Sequence, residues 1–150
     1  MMGGSFGGYM ANWIAGHTDR FKAIVSHASL WALDQFAGTT DFPAMWWNQF
    51  GEPMTSPDSY RENSPHLHVG QISTPMLVIH GDKDYRVPIG EGLRLWAELT
   101  RHGTPAKFLY FPDEGHWVLA PGNAAVWYET VFAFLAQHVL DQPWERPELL

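Results

Sequence analysis

Residues 76–88 read Met-Leu-Val-Ile-His-Gly-Asp-Lys-Asp-Tyr-Arg-Val-Pro. A short apolar run rich in branched side chains stops at Gly81, and two aspartates follow it in a turn. That is the pattern of a buried strand delivering polar side chains at its C-terminal edge. Two more runs have the same form, residues 22–27 (Lys-Ala-Ile-Val-Ser-His) and 107–111 (Lys-Phe-Leu-Tyr-Phe). Their near-continuous apolarity predicts parallel strands covered on both faces.

Helical patterns lie between these runs. Residues 9–17 follow a cluster of glycines. In residues 88–102 the period predicts one face made of Ile89, Leu93, Trp96 and Leu99. Pro88 suits the helix start, and Gly103 suits the position after its end. In residues 124–140 a face of Trp127, Val131, Phe134, Leu135 and His138 is predicted, with Asn123 as N-cap. Strands alternating with helices mean an α/β fold with right-handed crossovers. Residues 31–72 depart from the alternation. They hold glycines, prolines and the aromatics Phe42, Trp46, Trp47 and Phe50. They are expected to form short helices and loops over the end of the sheet. Residues 141–150 are expected to be an exposed tail.

Composition narrows the function. The 150 residues carry 9 Lys+Arg against 16 Asp+Glu, a formal charge of −7, which argues against a protein that neutralises nucleic-acid phosphates. No apolar run approaches the roughly 20 residues of a membrane helix. The absence of cysteine excludes disulfides, thiolate metal ligands and thiol nucleophiles. Aromatic residues make up 15% of the chain, with 8 Trp, 5 Tyr and 9 Phe.

At the other end, Gly3-Gly4-Ser5-Phe6-Gly7 matches G-x-S-x-G. A serine on a sharp strand-to-helix turn sits in strained backbone, so its neighbours must lack side chains, and Gly8 extends the close approach. The helix that follows aims its N-terminal amides at the site. The Phe6 amide is an oxyanion-donor candidate. No lysine follows as a phosphate-binding loop requires.

A serine nucleophile at such an elbow needs an acid and then a histidine, in that chain order. Asp82 and Asp84 both lie just past a strand end, where α/β proteins place chemistry. Asp82 directly follows Gly81 and fits a turn-capping role better, so position favours Asp84. His116 lies in Pro112-Asp113-Glu114-Gly115-His116-Trp117, after the third strand and after the acid. The other histidines have simpler readings. His80 and His27 end strands and read as structural. His17 and His102 fall in last helical turns, and His138 lies on an apolar helix face. His66 and His68 form an H-x-H pair that lacks the acidic partners of a metal site. No metal and no cofactor is expected.

The segments GGSFGGYM, HGDKDYRVP and FPDEGHW together resemble the catalytic domain of the prolyl oligopeptidase family of serine peptidases, over residue 3 to about residue 140. The resemblance implies an α/β-hydrolase fold, with residues 1–140 as the C-terminal portion of a peptidase catalytic domain and 141–150 as a tail. It implies a triad of Ser5, Asp84 and His116, and raises Asp84 over Asp82. It implies that Arg86 binds a substrate carbonyl. Phe6, Val87, Trp31 and Leu33 become candidates for the apolar pocket before the cleaved bond. Where the family loop often has Asn, this chain has Gly115. The family also carries upstream strands, a second oxyanion donor and a β-propeller. The chain is therefore expected to be part of a longer enzyme that releases N-terminal dipeptides or blocked residues from short peptides. An esterase sharing the triad and an inactive half-domain are the other readings. Exposed aromatics are expected to meet a propeller or a second copy.

Overall fold

The computed structural model describes residues 1–150. Strand β1 (Met2–Gly4) leads through Ser5 into helix α1 (Phe6–Ala15), and strand β2 (Ile24–His27) follows. Three short helices come next, α2 (Leu33–Thr39), α3 (Pro43–Phe50) and α4 (Pro57–Asn63), and then a 3₁₀ segment, Pro65–Gln71. The chain closes with β3 (Met76–Gly81), α5 (Gly90–Arg101), β4 (Ala106–Phe111) and α6 (Pro121–Val139).

The four strands form one parallel sheet in the order β1-β2-β3-β4. The two inner strands are buried at every residue. Alternation then splits their side chains between two layers. On one face Ile24, Met76 and Val78 pack with Ala11 and Ala15 of α1 and Leu95 and Leu99 of α5. On the other, Val25, Leu77 and Ile79 pack with Leu109, Phe111 and the α6 residues Val131 and Phe134. The expected α/β architecture, a mostly parallel sheet flanked by helices, is present.

Residues 31–72 fold over the end of the sheet. A third cluster holds them there, formed by Leu30, Leu33, Phe36, Ala37, Trp46 and Tyr60 around Val87. Trp46 stands edge-on to Phe36 at 4.9 Å and stacks on Phe50 at 6.1 Å.

Several local expectations change. The buried face of α5 is Glu91, Gly92, Leu95 and Leu99, while Leu93 and Trp96 are exposed. Asn123 is not the N-cap of α6. It lies inside the helix, and its Nδ2 donates to Asp113 Oδ1 at 3.0 Å and Glu114 Oε1 at 2.8 Å. The Glu114 carboxylate serves the helix entry instead, accepting the amides of Leu119 at 3.1 Å and Ala120 at 2.9 Å. Residues 141–150 form neither helix nor strand. Most are exposed, but Trp144 packs against the α6 layer, with Lys107 Nζ 4.0 Å from its ring centre.

Candidate active site

Ser5 is the hinge between β1 and α1. Its backbone has φ 58° and ψ −123°, a left-handed conformation that a non-glycine residue holds only at a cost of about 1–3 kcal/mol. Neighbouring contacts keep it there. The Ser5 amide donates to the His27 carbonyl at 2.9 Å, and the Ser5 carbonyl accepts the Tyr9 amide at 2.9 Å. The close approach requires Gly8, since a Cβ at that position would lie 2.5 Å from Ser29 Cβ. Beneath the elbow a buried polar network ties α1 to β2. Ser26 Oγ donates to Asn12 Oδ1 at 2.6 Å, and Asn12 Nδ2 donates to the Leu30 carbonyl at 2.9 Å.

Three side chains from three strand ends meet at this elbow. His116 Nε2 lies 2.9 Å from Ser5 Oγ, and His116 Nδ1 lies 2.8 Å from Asp84 Oδ2. A carboxylate only accepts, so Nδ1 carries the proton and Nε2 is free to accept from the hydroxyl. The other carboxylate oxygen of Asp84 accepts the amides of Arg86 at 3.0 Å and Val87 at 2.9 Å. Burial opposes ionisation of Asp84. Hydrogen bonds from His116, His80 and the Val87 amide outweigh it and hold the carboxyl well below the usual range. Asp82, the competing acid, is exposed, and its amide donates to the Phe111 carbonyl at 2.8 Å. Its place is in the turn. The Phe6 amide stands at the first position of α1, where helix amides have no intrahelical acceptor.

Beside Ser5 opens a cavity of about 270 Å³, lined by Phe6, Leu30, Phe36, Met45, Trp46, Gln49, Arg86 and Val87. Phe6, Arg86 and Val87, three of the residues named from the resemblance, line this cavity. Arg86 is braced from outside, its Nε donating to Asp41 Oδ1 at 2.7 Å with the guanidinium over the Phe42 ring. Trp31 and Leu33 are corrected: they are core residues that do not line this cavity. Both are fully buried, and Trp31 is held by its indole N–H donating to Glu98 Oε2 at 2.7 Å. The segment leading into α2 is held inward by the Glu91 carboxylate, which accepts the amides of Trp31 at 2.7 Å and Ala32 at 2.8 Å, and by Ser64 Oγ, which accepts the Leu33 amide at 3.0 Å. The lining residues missed in the sequence are Leu30, which precedes α2, and Phe36, Met45, Trp46 and Gln49 of α2 and α3. The signal for the helix residues was the aromatic density of residues 31–72, which core packing explains equally well.

The parallel sheet, the strained serine elbow and the Ser5–His116–Asp84 arrangement define a protein of the α/β-hydrolase class. Family comparison agrees, the prolyl oligopeptidase family matching residues 1–142. The chain belongs to that family. It is similar to a probable dipeptidyl-peptidase 5 of Aspergillus clavatus, 41% identical over 140 residues that cover 91% of this chain and 19% of the relative. The chain thus spans about a fifth of the length of the curated relatives it matches. Among solved structures it resembles a puromycin-hydrolyzing peptidase of Mycobacterium tuberculosis, with 30% identity, TM-score 0.82, and coverage of 91% of this chain and 21% of that one. An acylaminoacyl peptidase of Pyrococcus horikoshii shares the fold, with TM-score 0.86 at 24% identity, over 98% of this chain and 24% of that one. No helix is long and apolar enough to cross a membrane.

Proposed function

We propose that this chain supplies the reacting groups of a serine peptidase that acts on short peptides, releasing N-terminal dipeptides or acylated residues. Residues 1–140 form part of its catalytic domain, and residues 141–150 its tail. The observation that carries the reading is the continuous hydrogen-bonded line from Ser5 Oγ through His116 to Asp84 at a strained elbow.

The chemistry follows from the geometry. Ser5 Oγ attacks the carbonyl carbon of the scissile bond while its proton passes to His116 Nε2. Asp84 keeps the imidazole turned toward the serine and stabilises the imidazolium. The Phe6 N–H stabilises the oxyanion that forms. His116 then returns the proton to the leaving amine, and an acyl group stays on Ser5. Water activated by His116 releases it. The cavity next to Ser5 has an apolar wall, so it favours a substrate with a bulky apolar side chain before the cleaved bond. Arg86 at its rim binds a peptide carbonyl.

Labelling with a fluorophosphonate probes the nucleophile directly. Stoichiometric modification of Ser5 is expected, with none in Ser5→Ala and His116→Ala. In an enzyme containing this chain, the same variants should lower kcat by several orders of magnitude with KM little changed. Dipeptidyl amides should be hydrolysed as well as acyl esters; turnover of esters alone would replace the peptidase by an esterase.

A further inference from the structure

We propose that His80 is a positioning residue, locking the loop that carries Asp84 and through it the orientation of His116. The activity arm of the proposal rests on the peptidase reading; its structural arm does not.

His80 lies in β3 and has no solvent exposure. Its Nε2 is 2.7 Å from the Val87 carbonyl oxygen and 3.4 Å from Asp84 Oδ2. Both neighbours can only accept, so Nε2 carries a proton and shares it between them, the carbonyl taking the larger part. The two acceptors belong to one loop. Val87 gives its amide to Asp84 Oδ1 while its carbonyl is held by His80. The loop is therefore pinned through both peptide groups that flank the Val87 Cα. Asp84 Oδ2 stands between two imidazoles, His116 at 2.8 Å and His80 at 3.4 Å. From the other side α5 closes on the ring: a Cβ at Gly92 would lie 2.6 Å from His80 Nδ1, which has no hydrogen-bond partner.

A core histidine that merely satisfied a carbonyl would have no reason to share its proton with the acid. Here the same N–H fixes the loop and helps hold Asp84 ionised. With the clamp gone, the Val87 carbonyl is left buried without its donor, and the loop whose Arg86 and Val87 amides orient the carboxylate loses an anchor. The proton on His116 is then less firmly kept on Nδ1. Because Val87 and Arg86 also form the cavity wall, one imidazole couples the acid to the substrate pocket.

The test uses the 150-residue chain with ¹⁵N-labelled histidines and long-range ¹H–¹⁵N correlation, which reads each tautomer. His80 is expected to carry its proton on Nε2 and His116 on Nδ1. In His80→Leu, His116 should shift to a mixture of tautomers, and fluorophosphonate labelling of Ser5 should slow on the order of tenfold or more. His80→Gln places an amide nitrogen near the Nε2 position and should keep the His116 tautomer and the labelling rate within about twofold. If the Leu variant does not fold, His80→Asn takes its place, since its amide falls short of Val87. A proton on Nδ1 of His80 overturns the proposal. So does an unchanged His116 tautomer in the Leu or Asn variant, or a Gln variant that folds but behaves like Leu. If the unaltered chain resists labelling altogether, the peptidase reading of the chain fails, while the tautomers still decide the role of His80.

Discussion

The backbones of Gly3 and Gly7 touch across the elbow, and a Cβ on Gly3 would collide with the Gly7 carbonyl oxygen. A Cβ on Gly7 would meet nothing within 4 Å. The two outer glycines of one motif thus carry different burdens. Gly3→Ala should push β1 off α1, abolishing Ser5 labelling and lowering the melting temperature by several degrees. Gly7→Ala should keep labelling near the wild-type rate and raise helix stability by about 0.5–1 kcal/mol. Melting curves and labelling rates on the two variants decide it, and equal losses would refute the steric account.

What could be read from the sequence follows a physical line. That Ser5, Asp84 and His116 come together was legible from local signals: Ser5 from its glycine-flanked motif, Asp84 and His116 from apolar runs that end in turn residues. Gly103 was legible for the same reason: it follows α5 with φ 78°, the left-handed region that glycine accepts. The face of α5 was not. Leu93 and Trp96 have the right hydrophobicity, but the helix turns Glu91 and Gly92 inward instead. Glu91 is wanted by backbone amides 60 and 59 positions away, and Gly92 by the His80 ring. Neither partner is near in sequence. The walls of the cavity failed for a related reason, since Trp31 and Trp46 differ only in which buried partners turn them.

Asp84 and Asp82 are two residues apart and separate cleanly by role. Asp84→Asn removes the acceptor that keeps the proton on His116 Nδ1, and kcat should fall by about four orders of magnitude. Asp82→Asn changes an exposed turn residue whose structural bond is made by its backbone amide, so kcat should stay within about twofold. Steady-state kinetics on an enzyme containing each variant measure the contrast.

Trp46 is one wall of the cavity. Its indole N–H is buried with no acceptor, so Trp46→Phe loses no hydrogen bond and keeps the edge contact with Phe36. The smaller ring should deepen the pocket. The ratio of kcat/KM for a substrate with a large aromatic side chain before the scissile bond, over one with alanine, should rise by about tenfold. An unchanged ratio would mean that substrate side chains do not enter here.

Glu91 makes stability depend on pH in the direction opposite to Asp84, whose hydrogen bonds lower its carboxyl. Burial pushes its carboxyl up to about 7 from an ordinary 4.5, against the pull of the Trp31 and Ala32 amides and the Gln35 side chain. The folded state therefore keeps a proton that the unfolded chain releases, and this group's contribution is greatest below pH 4.5 and is lost as pH rises through about 7. His27 works the other way. Burial, with His80 and His116 nearby, lowers it to about 4 from 6.5, so its contribution is present above pH 6.5 and lost as pH falls toward 4. The two slopes oppose each other over much of the same range, and the wild-type profile should be flatter than either. Glu91→Gln keeps an oxygen for the two amides and removes the titrating proton. Its stability relative to wild type should therefore fall as pH is lowered from 7 to 4.5, tracked by denaturant unfolding at each pH. A stability difference that stays constant across that range would show that Glu91 does not carry the proton.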